Sequence, residues 1–448
     1  MSETEIGLPP GPRLPVPLQT LAWVTRPLPF LLRCRERYGD TFTLRIRNEA
    51  TWVFLSDPED VKQVFTGDPN QLRAGEANAI LGPVVGQSSV LLLDEPQHMQ
   101  HRKLMLPPFH GERMQGYGEL MADVTRREVE SWPLGEPLQL WPRMQAITLE
   151  VIMRAVFGIT EVERLAHVRS LLEGAIEWLT DRRRLAMMAV LGPQRLQANR
   201  RFKASLEPVD MALLQEIAQR RREPDLHERQ DILSMLILAR HEDGSQMSDL
   251  ELRDELMTLL LAGHETTATS LAWAFERLMR HPDKLARLRA ETLAGEEDVY
   301  LDAVVKETLR LRPVLPIVVR RLASPMEIAG RVIPAGTALT PCIYLMHRRP
   351  DIYPQPHSFI PERFLEQPAG TYTWIPFGGG VRRCLGASFA QFEMKQVLKT
   401  VLAEVELEAI DSRPERVVRR SITLTPGQRA TARVNGRVSQ RERPLVTA

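Results

Sequence analysis

The chain is poor in cysteine and has no excess of either charge. Only Cys34, Cys342 and Cys384 occur in 448 residues, odd in number, far apart and without a C-x-x-C pair. That spacing argues against a disulfide framework or a zinc site and points to a reducing cytoplasm. Lys+Arg at 58 against Asp+Glu at 57 leaves a net charge of +1, without the basic excess of a nucleic-acid binder. No apolar run is long enough to span a bilayer, so no membrane span is expected. The start, MSETEIGLPPGPRLP, is acidic and then proline-rich, unlike a signal peptide with its basic start and apolar run. Gly/Ser linkers, low-complexity blocks and fixed-period repeats are also missing. The length alone allows two or three domains, but one domain over 1–448 is the expectation. The clusters Arg182-Arg183-Arg184 and Arg220-Arg221-Arg222 read as solvated helix faces.

What is present is mostly helix. TFTLRIRNEATWVFL, from Thr41 to Leu55, reads as two strands around a turn at Asn48-Glu49. From Pro107 to Arg320 apolar residues recur at helical spacing. Short strand patterns return at Met326-Glu327-Ile328, Val332-Ile333 and Thr337-Ala338-Leu339, and again in SITLTPGQRATARV, broken at Pro426-Gly427. The fold class is therefore mainly α with minor β (α+β). One helix stands out. Ser248-Asp249-Leu250-Glu251 is a capping box, and the pattern runs on to Arg280, where His281-Pro282 stops it. Its apolar middle carries a polar knot, Gly263-His264-Glu265-Thr266-Thr267. Glycine and threonine are poor helix-interior residues and glutamate is rarely buried alone. Gly263 with Thr266 points to a local opening of the helix that leaves room for a small ligand. A zinc-protease reading of His264-Glu265 fails, because Ala268 stands where a second histidine is needed.

Three further segments carry chemistry. Glu307 and Arg310 lie three apart on one helix face, and Pro361-Glu362-Arg363-Phe364 supplies a second arginine; together Glu307, Arg310 and Arg363 can form a buried network that fixes one geometry. In DEPQHMQHR, His98 and Arg102 share a face and could clamp an anion or form a solvated pair. The stretch FGGGVRRCLG, Phe377 to Gly386, sets Cys384 among glycines that allow close approach of a flat object. Flanking arginines and the following helix start favour thiolate over thiol. A nucleophilic cysteine would want a histidine base, and none follows His357. A metal ligand is the stronger reading, with a cysteine hydrolase as its rival. Cys34 and Cys342 read as small buried hydrophobes.

Taken together these residues resemble the cytochrome P450 haem-thiolate monooxygenases. The family's F-x-x-G-x-R-x-C-x-G is matched by Phe377, Gly380, Arg382, Cys384 and Gly386, its E-x-x-R by Glu307 and Arg310, and its meander arginine by Arg363. The oxygen-binding helix signature matches Ala262 to Thr267, with Glu265 where aspartate is commoner, and the bacterial H-x-x-x-R matches His98 and Arg102. The resemblance covers nearly the whole chain.

It implies haem b (iron protoporphyrin IX) held by Cys384, against a loop that includes Gly378. Propionates would be neutralised by His98, Arg102, Arg382 and Arg320, with Arg321 a competitor for the last place. Thr266 would hydrogen-bond activated oxygen and Glu265 would relay protons. By the same resemblance the reaction inserts oxygen from O2, with electrons from a ferredoxin- or flavodoxin-like donor and its reductase. That donor would dock near Lys103, Arg113, Arg383 and Lys395. Candidate substrate contacts are Ile80, Leu81, Val84, Val85, Leu261, Ala262, Val314, Leu315, Ile317, Val318 and Ile422, almost all aliphatic, so a hydrophobic substrate is expected. The apolar run 185–191 reads as an entry lid. A peroxygenase or isomerase on the same fold is the alternative; an intact Glu265-Thr266 pair speaks against it.

Overall fold

The computed structural model describes residues 5–47, 49–109, 113–158, 170–171, 200–295 and 297–438. Its axis is the helix Asp249–Met279, 31 residues long and so about 46 Å at 1.5 Å per residue. The capping box forms as its residues require. Glu251 N donates to Ser248 Oγ at 3.3 Å, and Ser248 N donates back to Glu251 Oε2 at 2.7 Å. Pro282, lacking an N–H, opens the next helix, Pro282–Ala294.

The helix is unbroken through the polar knot, which corrects the expected opening. Thr266 Oγ1 donates to Ala262 O at 2.7 Å and Thr267 Oγ1 to Gly263 O at 3.0 Å. The hydroxyls thus add second bonds to those carbonyls and leave the ladder intact. His264 is buried; its Nδ1 bonds Leu260 O at 2.8 Å and Thr148 Oγ1 donates to its carbonyl at 3.0 Å. It is a satisfied core histidine.

Around this axis pack Leu140–Phe157, Arg200–Arg220, Val299–Leu311 and Ala387–Glu404. Trp273 on the axis is fully buried and donates from Nε1 to Leu424 O at 2.9 Å. Its truncation to alanine should cost about 3–5 kcal/mol. A five-stranded sheet lies to one side, in the order Thr41–Arg45, Thr51–Leu55, Ala338–Pro341, Arg320–Leu322, Leu72–Arg73. Thr51–Leu55 pairs parallel to Ala338–Pro341, a contact between segments nearly 300 residues apart in sequence that no local pattern announces. Cys34 and Cys342 are buried together in a small apolar cluster beside that sheet.

Arg220 departs from the solvated-face reading of its triplet, while Arg222 is exposed as expected. It is buried, and its Nη1 donates to Asp231 Oδ1 at 2.5 Å and to Ser234 Oγ at 2.8 Å. Its Nη2 donates to Phe157 O at 2.5 Å, and a charge buried this way needs acidic partners such as Asp231 and Glu223 brought in with it. Arg182-Arg183-Arg184 and the run 185–191 lie outside the described residues. Among the described residues no helix is long and apolar enough to cross a membrane.

Candidate functional site

The loop that holds Cys384 is shaped by its glycines. Gly378 and Gly380 have φ of +67° and +66°, a region costly for residues with a Cβ. A Cβ at Gly380 would also stand 1.9 Å from Phe65 O. Cys384 N donates to Phe377 O at 3.0 Å, closing the loop just before the helix Ala387–Glu404. Cys384 is exposed, although protein atoms crowd around it. Burial raises its thiol above the ordinary value, against the Gly386 N–H, Arg102 and Arg383, which pull it down. The expected thiolate is therefore not favoured by the protein alone, because desolvation outweighs the local positive charge. A bound metal cation reverses that balance.

A buried network stands behind the loop. Arg310 and Glu307 are both fully buried and meet through two bonds, Nε to Oε2 at 2.7 Å and Nη2 to Oε1 at 2.8 Å. Arg363 Nε lies 3.2 Å from Glu307 Oε2, and Ile360 N donates to Glu307 Oε1 at 2.8 Å. Arg310 Nη1 donates to His347 O at 2.6 Å, and His347 Nε2 accepts from Ile375 N at 2.9 Å. Two residues further on is Phe377. The network thus sets the position from which the cysteine loop starts.

Four basic groups from three distant segments converge. Arg320 is buried, its Nη1 donates only to Val319 O, at 2.8 Å, and no carboxylate pairs with it among the described residues. Burial first, then Arg382, lowers it to about 10. Arg321 turns away to Glu76, at 3.2 Å. Arg382 Nη2 bonds Asp94 Oδ1 at 3.1 Å while its buried Nε has no hydrogen-bond partner. Arg102 is half-buried on the helix Gln97–Met105 and feels the charge of Cys384. His98 is buried, with Nδ1 2.7 Å from Glu95 Oε1. Burial and then Arg382 depress it to about 4, so it is neutral at physiological pH and brings no charge until an anion arrives.

The long helix is buried before and after one turn, but at that turn Leu261, Gly263, Glu265 and Thr266 are half-buried and Ala262 is exposed. Thr267, next in line, lies beside the carboxyl of Glu393 on the helix that follows the cysteine loop, and that helix packs on the long one. Burial raises Glu265 above the ordinary carboxylate range, with Arg420 pulling it down.

Of the expected substrate contacts, Leu81, Val84, Leu261 and Leu315 are half-buried and Ala262 is exposed. The short helix Gly82–Val85 packs on the long helix. Val85 and Val314 are buried, Ile80 is exposed, and Ile317 and Val318 pack into the two sheet-side clusters. Core packing accounts for those two. Ile422 is exposed at the turn of the hairpin Val417–Arg420/Thr423–Pro426, which Leu424 N fastens to Val314 O at 2.8 Å. On the expected docking face, Lys103 pairs with Glu242 at 2.6 Å and Lys395 with Asp302 at 2.6 Å, while Arg383 is exposed. Two of the expected charges thus already have acidic partners; the side chain of Arg113 lies outside the described residues.

Several participants were missed. Asp94 accepts from Gly75 N and Glu76 N as well as from Arg382. Asp254 and Glu255 hold the Ser88–Val90 backbone at 2.8 and 2.9 Å. Glu393 is buried with one oxygen unpartnered, and burial raises its carboxyl well above the ordinary range. The acidic pair before His98 was a usable signal; nothing local marks Glu393.

These features together test whether a haem would fit. Arg320 and Arg382 leave buried donor capacity for carboxylates, and the sulfur of Cys384 is exposed. Gly386 has ordinary helical-side φ, and a Cβ there meets nothing within 4 Å, so no protein atom requires that glycine. A flat dianionic group beside the loop answers each point. They fit.

Comparison with known proteins agrees. A family model described as Cytochrome P450 matches residues 9–431. Cytochrome P450 135B1 of Mycobacterium tuberculosis is 42% identical over 442 residues, 96% of this chain and 92% of that one. Cytochrome P450 137 of the same organism is 42% identical over 404 residues, 88% and 83%. Among solved structures, retinoic acid-bound cyanobacterial CYP120A1 superposes with a TM-score of 0.83, at 24% identity, over 97% of this chain and 100% of that one; at that identity the match speaks for the fold.

Proposed function

The chain belongs to the cytochrome P450 family, as a haem-thiolate monooxygenase with haem b as cofactor, and we propose that its substrate is a hydrophobic organic molecule. Hydroxylation or epoxidation of a lipid, terpenoid, steroid or polyketide-like compound is the reaction this reading assigns. The observation that carries it is the open turn of the long helix, where Leu261 and Ala262 flank Glu265, together with half-buried Val84 on the Gly82–Val85 helix that packs on the long helix.

When bound, the haem supplies the activation of O2, and thiolate ligation favours O–O cleavage. This chain's residues do the rest. Cys384 Sγ would ligate the iron, and Arg320, Arg382 and Arg102 would take the propionates, which in turn draw a proton onto His98. Thr266 already donates its hydroxyl proton to Ala262 O; its remaining lone pairs and a rotation of the hydroxyl serve the open turn. Glu265, whose carboxyl burial raises above the ordinary range against the pull of Arg420, would relay protons beside it. The aliphatic wall excludes water and orients the substrate by shape. Electrons would come from a separate ferredoxin- or flavodoxin-like donor and its reductase, with exposed Arg383 as a contact for an acidic partner.

The test has two arms. A screen of lipids, terpenoids, steroids and polyketides, read as haem spin-state shifts, should give hits confined to apolar compounds. Tight binding of charged, hydrophilic compounds instead would refute the substrate class. Cys384→Ser should abolish the red-shifted Soret band of the reduced carbon monoxide complex, and a retained band would refute the ligand assignment.

A further inference from the structure

Where the long helix begins, three segments bring nitrogen and oxygen ligands together outside the haem site. His101 is buried on the helix Gln97–Met105. Its Nδ1 lies 2.8 Å from Glu255 Oε1, and its Nε2 points the other way, 3.6 Å from Glu251 Oε1 and beyond hydrogen-bond reach. Glu251 uses its other oxygen, Oε2, in the capping box, so Oε1 is available. His241 sits on a tight turn, where its N donates to Ser245 O at 2.8 Å and its carbonyl accepts from Gly244 N at 2.9 Å. Its ring stands 5.8 Å from that of His101. Taking one ligand atom from each of His101, His241 and Glu251, all lie within 4.8 Å of one another.

A second observation points the same way. Glu255 is fully buried, and its Oε2 has no hydrogen-bond partner. A buried carboxylate holding Nδ1–H of a histidine is the outer half of a carboxylate–histidine–metal arrangement. It fixes the tautomer that leaves Nε2 as a lone-pair donor and makes that nitrogen more basic. A bond between the two helices alone would need neither His241 nor the free oxygen of Glu251.

We propose that His101, His241 and Glu251 bind a divalent transition-metal ion such as zinc, with Glu255 orienting His101. Two imidazoles and one carboxylate suit zinc, with a fourth position for water. At metal–ligand distances of about 2.0–2.2 Å, the edges of a tetrahedron are roughly 3.3–3.6 Å. His101 and Glu251 already stand at that separation. Only His241 must move inward, by about 1.5 Å at most, and its turn is held to the body at the neighbouring residue through Glu242 and Lys103. Metal would then pin this turn and the long helix to the helix that carries His98 and Arg102.

Zinc chloride titrated into the haem-loaded enzyme by calorimetry, in a non-coordinating buffer, decides the matter without any turnover assay. One saturable site is expected. His241→Ala should weaken it at least tenfold, Glu255→Gln by ten- to a hundredfold, and the exposed control His227→Ala not at all. Saturating zinc should also raise the melting temperature of the wild type but not of His241→Ala. His241 is on a surface turn, so this variant stays folded, which the carbon monoxide spectrum checks. Absence of saturable binding to wild type, or equal binding by His241→Ala, overturns the proposal.

Discussion

Replacing Thr266 by alanine separates a packing role from a chemical one, because the structure bounds the packing cost. The hydroxyl's one hydrogen bond goes to Ala262 O, a carbonyl within the helix ladder, so removing it orphans no buried acceptor. The lost methyl is half-buried, worth less than about 0.8 kcal/mol. Alanine regains a few tenths of a kcal/mol in helix propensity, roughly cancelling part of that. The net change is within about 1 kcal/mol. For a chain of this size, unfolding entropy is about 0.9 kcal/mol per kelvin, so the melting point should move by only about 1 °C. The functional effect is larger. One hydrogen bond lost at activated oxygen is worth about 1–3 kcal/mol, or roughly five- to 150-fold in the partition between product and uncoupled reduction. The assay is product formed and hydrogen peroxide released per NAD(P)H consumed, with a surrogate ferredoxin and reductase. Thr266→Ala should still bind haem and substrate, still consume NAD(P)H, and release peroxide in place of product. Thr266→Ser, which keeps the hydroxyl, should recover most of the coupling. Equal coupling in wild type and Thr266→Ala would refute the reasoning and leave Thr266 a helix residue only.

Gly380→Ala must place a Cβ 1.9 Å from Phe65 O at a φ of +66°. Strain alone is about 1–2 kcal/mol, so purified variant should show haem content well below wild type; full incorporation would mean the loop can shift. Glu307→Gln strips the charge facing fully buried Arg310, at about 3–5 kcal/mol, so chemical denaturation should shift to lower denaturant and haem retention should fall with it. Burial raises Glu265, so its proton-donating form persists above the ordinary carboxylate pKa and is lost as pH rises through the raised value. Coupling should therefore decline on the alkaline side of that value in wild type. Glu265→Gln should show lower coupling that is flat across the same range, and an unchanged pH profile would assign the limb to another group.

The sequence by itself determined the local elements and the chemistry-bearing residues. The capping box, the proline stop and the 31-residue helix followed from short-range rules: Ser248, Glu251 and Pro282 act on backbone within a turn of themselves. The signature around Cys384 was legible because glycine's backbone freedom and thiolate chemistry are properties of single residues. The same locality explains the failures. Arg220 looked like its two neighbours until Asp231 and Ser234 folded over it. The thiol of Cys384 looked activated because charges nearby in sequence can be counted, whereas desolvation depends on everything packed around it. That Arg321 points outward while Arg320 is buried depended on Glu76, some 240 residues away. Likewise His101 meets His241 and Glu251 only because the helix Gln97–Met105 is bonded to the first turns of the long helix, from more than 130 residues away in sequence. Hydrogen bonds along one helix or turn are set by neighbours in the chain, but burial, ion pairing and ligand sets are set by neighbours in space.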